Sequence, residues 1–348
     1  MRRVLIFVFL VILLSPAVHA MDFEAPPAPD SAAEYLPDKA DSFGEGLLRV
    51  GAAAVGVLSP ALSLAARCCL RVFGALALVG LARQLSPGLS GKTLELAGTA
   101  AVAALLLEPS ASMIALTVGT VEELREYGKL LMPVMASALA ARGGVTTSGA
   151  LYVGTAVLDT VLGTAVSAAA VPLLWMYLAL SVASAAVGGG LLGRLRDLIR
   201  WLMEWALKLT LYLFTGYMAV TGAVSGAADA AASRAAKIAI SGAVPVVGGI
   251  LSDAADTVLL SAAALGSGAG VWGILTVLAI FCAPALKIGC QYLMLKLTAV
   301  LGSALGGSRG AELAGDFAAG MGFLMALVST QAVLLLVSGV CFLRGLGR

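Results

Sequence analysis

Apolar runs long enough to cross a lipid bilayer recur through this chain, the clearest within residues 160–193, 209–228, 257–286 and 317–343. A hydrocarbon core about 30 Å thick is crossed by a helix of roughly 20 predominantly apolar residues. Lipid offers no partner to an open backbone N–H or C=O, so such runs must satisfy their hydrogen bonds internally. Composition agrees: 60% of the 348 residues are hydrophobic and 12% charged, against about a quarter charged in soluble domains, and the mean hydropathy is +1.00. The expected fold is all-α, a polytopic transmembrane helical bundle.

The N-terminus reads as a targeting segment. Arg2 and Arg3 precede the apolar stretch from Val4 to Leu14, and Pro16-Ala17-Val18-His19-Ala20 ends in the small residues of a cleavage site. That is the layout of a signal peptide over residues 1–20. Residues 21–47 follow as an acidic, proline-punctuated leader, expected to be flexible and extracytoplasmic, and residues 48–348 form the membrane domain. His19 is the only histidine and leaves with the signal peptide, so the mature chain lacks the imidazole of Ser-His and Cys-His nucleophile pairs, H-E-x-x-H zinc sites and histidine haem ligation. Cys68, Cys69, Cys282, Cys290 and Cys341 sit in or beside apolar segments without C-x-x-C spacing and read as packing residues. No cofactor or metal is expected. The net charge of +2 is dispersed, with no basic stripe, which speaks against a nucleic-acid surface.

Other segments are less regular. Residues 50–82 hold one span in which Arg67 and Arg71 fall near the middle, and residues 96–121 reach span length only with Glu108 and Pro109 at depth, the mark of a broken or cavity-facing helix. Residues 194–208 carry Arg194, Arg196, Arg200 and Lys208, with Trp201 and Trp205 four apart, and read as an amphipathic cytoplasmic interfacial helix. With the leader outside and Arg344 and Arg348 inside, the crossings are odd in number, about seven, or about five if more segments are re-entrant.

Two segments break the pattern more sharply. Residues 130–144, with Pro133, and 238–251, with Pro245 and the pair Gly248 and Gly249, each follow a lysine, contain Pro-Val, and contain or end in Gly-Gly. Both are expected as half-helices or re-entrant hairpins. The tetrapeptide Asp-Thr-Val-Leu follows each, beginning at Asp159 and at Asp256, which is compatible with an old duplication or with chance. Ionisable groups at membrane depth face protein or a water-lined cavity. Asp229 and Lys237 lie eight residues apart on one helical face, with Ser233 between them, and Asp253 and Asp256 share another face. The candidate conduit or helix-locking residues are therefore Asp229, Lys237, Pro245, Gly248, Gly249, Asp253, Asp256, Pro133, Asp159 and Lys287. The aspartates either line a polar path or pair with cations such as Arg234, Lys237 or Lys287.

Enzymatic readings fail on context. Residues 86–93 look like a phosphate-binding loop but have Ser86 where its first glycine belongs and follow a membrane segment. Asp159 and Asp256 lack the Gly-x-Gly-Asp context of an intramembrane aspartyl protease.

The run Ala236-Lys237-Ile238-Ala239-Ile240-Ser241, then Val244-Pro245-Val246-Val247-Gly248-Gly249, then Leu251-Ser252-Asp253-Ala254-Ala255-Asp256-Thr257-Val258-Leu259 resembles the signature of the stage III sporulation protein AE family. Leu131-Met132-Pro133-Val134, Gly143-Gly144-Val145-Thr146, Gly226-Ala227-Ala228-Asp229 and Pro284-Ala285-Leu286-Lys287-Ile288 add to it. The resemblance implies a non-enzymatic membrane subunit of the channel or feeding-tube secretion complex that links mother cell and forespore and is needed for late forespore gene expression. It implies a place in the mother-cell membrane around the forespore. The implied partners are other membrane proteins of that complex: a secretion-type ATPase, ring-forming subunits and a forespore membrane partner. Homo-oligomerisation stays open, and the resemblance brings no catalytic residues. The alternatives are an ion-coupled secondary transporter using Asp253 or Asp256, and a purely structural scaffold.

Overall fold

The computed structural model describes residues 25–36, 43–85, 91–141, 145–188, 190–220, 268–304 and 309–346. Among the described residues the chain is an all-α bundle without strands. A short helix, α1 (Asp30–Ala33), precedes α2 (Phe43–Leu85), α3 (Gly91–Ala141) and α4 (Val145–Ala165). A π-helical turn, Val166–Ala170, leads into α5 (Val171–Val187), followed by α6 (Gly190–Val220), α7 (Gly268–Ala304) and α8 (Arg309–Leu346). Asp229, Lys237, Pro245, Gly248, Gly249, Asp253 and Asp256 lie outside the described residues, as does the segment 1–20.

Five helices are long and apolar enough to cross a membrane: Gly44–Leu85, Lys92–Ala140, Ala168–Val187, Gly270–Ala304 and Arg309–Phe342. Their burial ranks them. In the most apolar window of α8, 78% of residues are buried, against 22% in α2, so α8 is the axis and α2 lies at the periphery. Helix α8 packs on α3, α4, α5, α6 and α7, while α2 covers α7 and α3. Fully buried Phe317, Met321, Leu324 and Phe342 run along α8 and meet Leu106, Leu124 and Leu131 of α3 and Leu174 and Tyr177 of α5 in one core.

The prolines are absorbed rather than breaking helices. Helix α3 runs unbroken through Pro109 and Pro133, so the expected interruption near Glu108 is absent and residues 130–141, expected as a half-helix, continue α3. Proline removes one helical hydrogen bond and crowds the preceding turn, but neighbouring helices and hydroxyls can re-satisfy the freed carbonyls in membrane helices. Here Ser110 donates to the Leu106 carbonyl and Ser137 to that of Val134. Pro133 points outward while Leu131, Met132 and Met135 enter the core.

Charges mark two levels along the bundle. At one end Arg83 of α2 and Arg309 of α8 converge on Glu95, at 4.0 and 3.5 Å. Glu122, Glu123, Arg125, Glu126 and Lys129 begin the second level, 27 residues further along α3. That is about 40 Å at 1.5 Å per residue, close to the thickness of a bilayer with its headgroup regions. The leader meets the second level: Ala32 is buried, and Ser31 donates a hydrogen bond to Glu123. Part of a segment expected to be flexible is thus packed on the bundle.

Candidate functional site

Asp159 occupies a buried position on α4, a helix of small and β-branched residues that approaches α8 closely. The two run antiparallel, since Thr155 meets Ser338 at 3.0 Å and Asp159 meets Gln331. Gln331 Nε2 donates to Asp159 Oδ1 at 2.5 Å, and Arg125 Nε of α3 stands 3.7 Å from Oδ2. Arg125 also donates from Nη1 to Glu122 at 2.7 Å. One carboxylate thus joins α3, α4 and α8, with side-chain exposures of 9% for Asp159 and 17% for Arg125. Burying two charges is tolerable because each offsets the other's desolvation and Gln331 satisfies a further lone pair.

The node has polar capacity left over. Gln331 Oε1 and Arg125 Nε are buried without a hydrogen-bond partner among the described residues, as are Ser329 Oγ, Thr117 Oγ1 and Tyr127 OH. The arrangement can clamp helices and exchange hydrogen-bond partners, but it contains no nucleophile paired with a base. No cluster of metal-ligating side chains occurs among the described residues, and no disulfide joins the cysteines among them.

A second node lies 15 residues away on α8, about 22 Å along the axis. Arg196 Nη1 of α6 donates to Asp316 Oδ2 at 2.8 Å, and the Tyr177 hydroxyl of α5 donates to the Asp316 carbonyl at 3.2 Å. Arg196 also holds Asp197 at 2.9 Å. Burial pulls the Arg196 guanidinium down, but the carboxylates of Asp316 and Asp197 outweigh it and hold the group above its ordinary value. The guanidinium expected to face headgroups is instead turned into the bundle. Trp201 and Trp205 do lie on the exposed face of α6, stacked with centroids 6.3 Å apart.

Beside this node a cleft of about 280 Å³ is lined by Ser184, Gly188, Gly193, Arg196, Arg309 and Asp316, among others. Gly188 ends α5 in the left-handed region, at φ 71°, and its N–H returns to the Ser184 carbonyl at 2.9 Å. Glycine is the residue that adopts this cap without strain. A side chain there would also meet the Arg309 guanidinium at 2.8 Å.

Of the sequence-predicted residues that are described, Asp159 is at a node, whereas Pro133 and Lys287 lie on the outer surface. No hydrogen bond or ion pair among the described residues joins these three. Sequence reasoning passed over Arg125, Gln331, Asp316 and Tyr177 and assigned Arg196 a different surface. Gln331 and Asp316 carried a signal, being polar residues within or at the edge of an apolar run; their partners did not.

Comparison with known proteins gives one match. A family model described as stage III sporulation protein AE matches residues 72–343. No curated protein and no solved structure matches the chain.

Proposed function

The chain belongs to the stage III sporulation protein AE family, and from that membership we propose that it is a multi-pass subunit of the channel or specialised secretion complex between mother cell and forespore. The single observation carrying the proposal is the extent of the match, residues 72–343, which takes in nearly all of the apolar bundle. A sporulation-stage III role and a membrane setting follow directly from the family and from the five apolar helices. The finer reading places the protein in the mother-cell membrane around the forespore, with an ATPase, ring-forming subunits and a forespore membrane protein as partners. It performs no reaction of its own.

Within that role, Asp159 acts as a helix lock. Its pairing with Arg125 and Gln331 favours this over a conduit-lining position. The polar path runs instead through Asp229, Lys237, Pro245, Gly248, Gly249, Asp253 and Asp256.

In-frame deletion in the native spore-forming host should abolish expression of a late forespore reporter, restored by the wild-type gene and not by Asp253→Asn/Asp256→Asn. Undiminished reporter expression in the deletion strain would remove the proposal. Ion-coupled solute uptake by the purified protein alone in liposomes, lost in Asp256→Asn, would make it a transporter instead.

A further inference from the structure

Helix α3 turns an unexpected residue outward. Glu108 is 13 residues from Glu95 and 14 from Glu122, midway between the two polar levels, and it is exposed on the surface of the bundle. Around it the outward positions of α3 are small or apolar: Ala104, Leu107, Ser112, Ala115 and Gly119. A methyl added at Gly119 would meet nothing within 4 Å. Carboxylates at membrane depth are rare and pair with a cation, yet Glu108 has no ion pair among the described residues.

Elsewhere on the surface is the converse problem. Arg67 and Arg71 of α2 and Lys296 of α7 are exposed, without an ion pair among the described residues, between outward Leu70, Leu293 and Leu297. Their depth can be worked out from packing. Gly98 of α3 sits against Val79 of α2, with 2.6 Å between its added Cβ position and Cγ2, and Gly302 of α7 sits against Leu76 at 2.7 Å. Glu108 is ten residues beyond Gly98, while Arg71 and Arg67 are eight and twelve residues from Val79. At 1.5 Å per residue Glu108 stands about 15 Å from the shared level and the two arginines about 12 and 18 Å. Lys296, six residues from Gly302, comes out at about 14 Å on the same scale.

We propose that these two faces are the halves of one interface between copies of this chain, with Glu108 of one copy seated among Arg67, Arg71 and Lys296 of the next. Copies in one membrane are related by rotation about its normal, which preserves depth, so charges level in one chain remain level across a contact. The acidic face has no base on it at this depth and the basic faces no acid. Contact between copies removes both liabilities at once, and the small residues beside Glu108 allow close helix approach.

Two differently tagged full-length copies, co-expressed and extracted in mild detergent, test this. Wild-type copies co-purify. Glu108→Arg in both copies, or Arg67→Glu/Arg71→Glu/Lys296→Glu in both, reduces co-purification at least tenfold. Splitting the changes, with Glu108→Arg in one copy and the triple reversal in the other, restores it to within twofold of wild type. Restoration by split charges separates a contact between chains from misfolding, because each variant chain keeps its own defect. Rescue only when all reversals sit in one chain would mean an intrachain pairing and overturn the proposal. So would copies that never co-purify, or reversals that change nothing.

Discussion

Replacing Asp159 by leucine removes the charge at which three helices meet, and the structure bounds what that costs. At 3.7 Å and an effective dielectric constant of about 20, the attraction to Arg125 is roughly 4–5 kcal/mol before desolvation is subtracted. Breaking a buried pair by removing one partner costs about 3–5 kcal/mol, because the other charge is left uncompensated. The hydrogen bond from Gln331 to a charged acceptor contributes about 1.5–3 kcal/mol. Asp159→Leu should therefore destabilise by about 3–5 kcal/mol, and Arg125→Leu by a similar amount. Asp159→Asn keeps an acceptor for Gln331 and should cost about 1–3 kcal/mol. The decisive variant is the double one. With both charges gone no uncompensated ion remains, so Asp159→Leu/Arg125→Leu should cost less than the sum of the singles by at least about 1.5 kcal/mol. SDS titration of the full-length protein in mixed micelles, followed by far-UV circular dichroism, gives the four free energies. Additivity within about 0.5 kcal/mol would show that Arg125 and Asp159 are neighbours without coupling, and the locking argument would fail.

Three further outcomes follow from the geometry. Gly188→Ala should lower stability by about 1–2 kcal/mol, since it combines a left-handed backbone with crowding of Arg309; an unchanged melting temperature would mean that the α5–α6 turn relaxes freely. Arg196→Asp should loosen α6 from α8, read as faster limited proteolysis near residue 190, and Arg196→Asp/Asp316→Arg should recover most of the protection; equal proteolysis in single and double variants would deny the pairing its role. Gly154→Val on α4 drives a side chain into the Tyr217 ring of α6 and should cost about 1–3 kcal/mol by overpacking, with Gly154→Val/Tyr217→Ala recovering part of it in the same denaturation assay.

The membrane class, the helical bundle and the family were legible in the chain, because long apolar runs admit few other structures in lipid and the motif spanning residues 236–259 is long. The prolines were read too literally. Pro109 and Pro133 signal a break by local rules, yet packing against α8 and hydroxyl contacts keep α3 whole. Asp159 was recognisable as a charge needing a partner, but the partner was not nameable. Lys287, a cation on offer along the sequence, faces outward, while Arg125 and Gln331, 34 residues upstream and 172 downstream of Asp159, supply the contacts.

What the sequence determined by itself is therefore solvent and secondary structure: which stretches must be helical in lipid, and which charges would need company there. Tertiary structure alone decided the company. Whether Arg196 meets headgroups or Asp316, and whether Glu108 faces a cavity or the outside, depends on the rotation of each helix about its axis. Local apolar patterning constrains that rotation weakly, because lipid and protein interior are equally welcoming to Ala, Val and Leu; the packing of all the helices against α8 sets it.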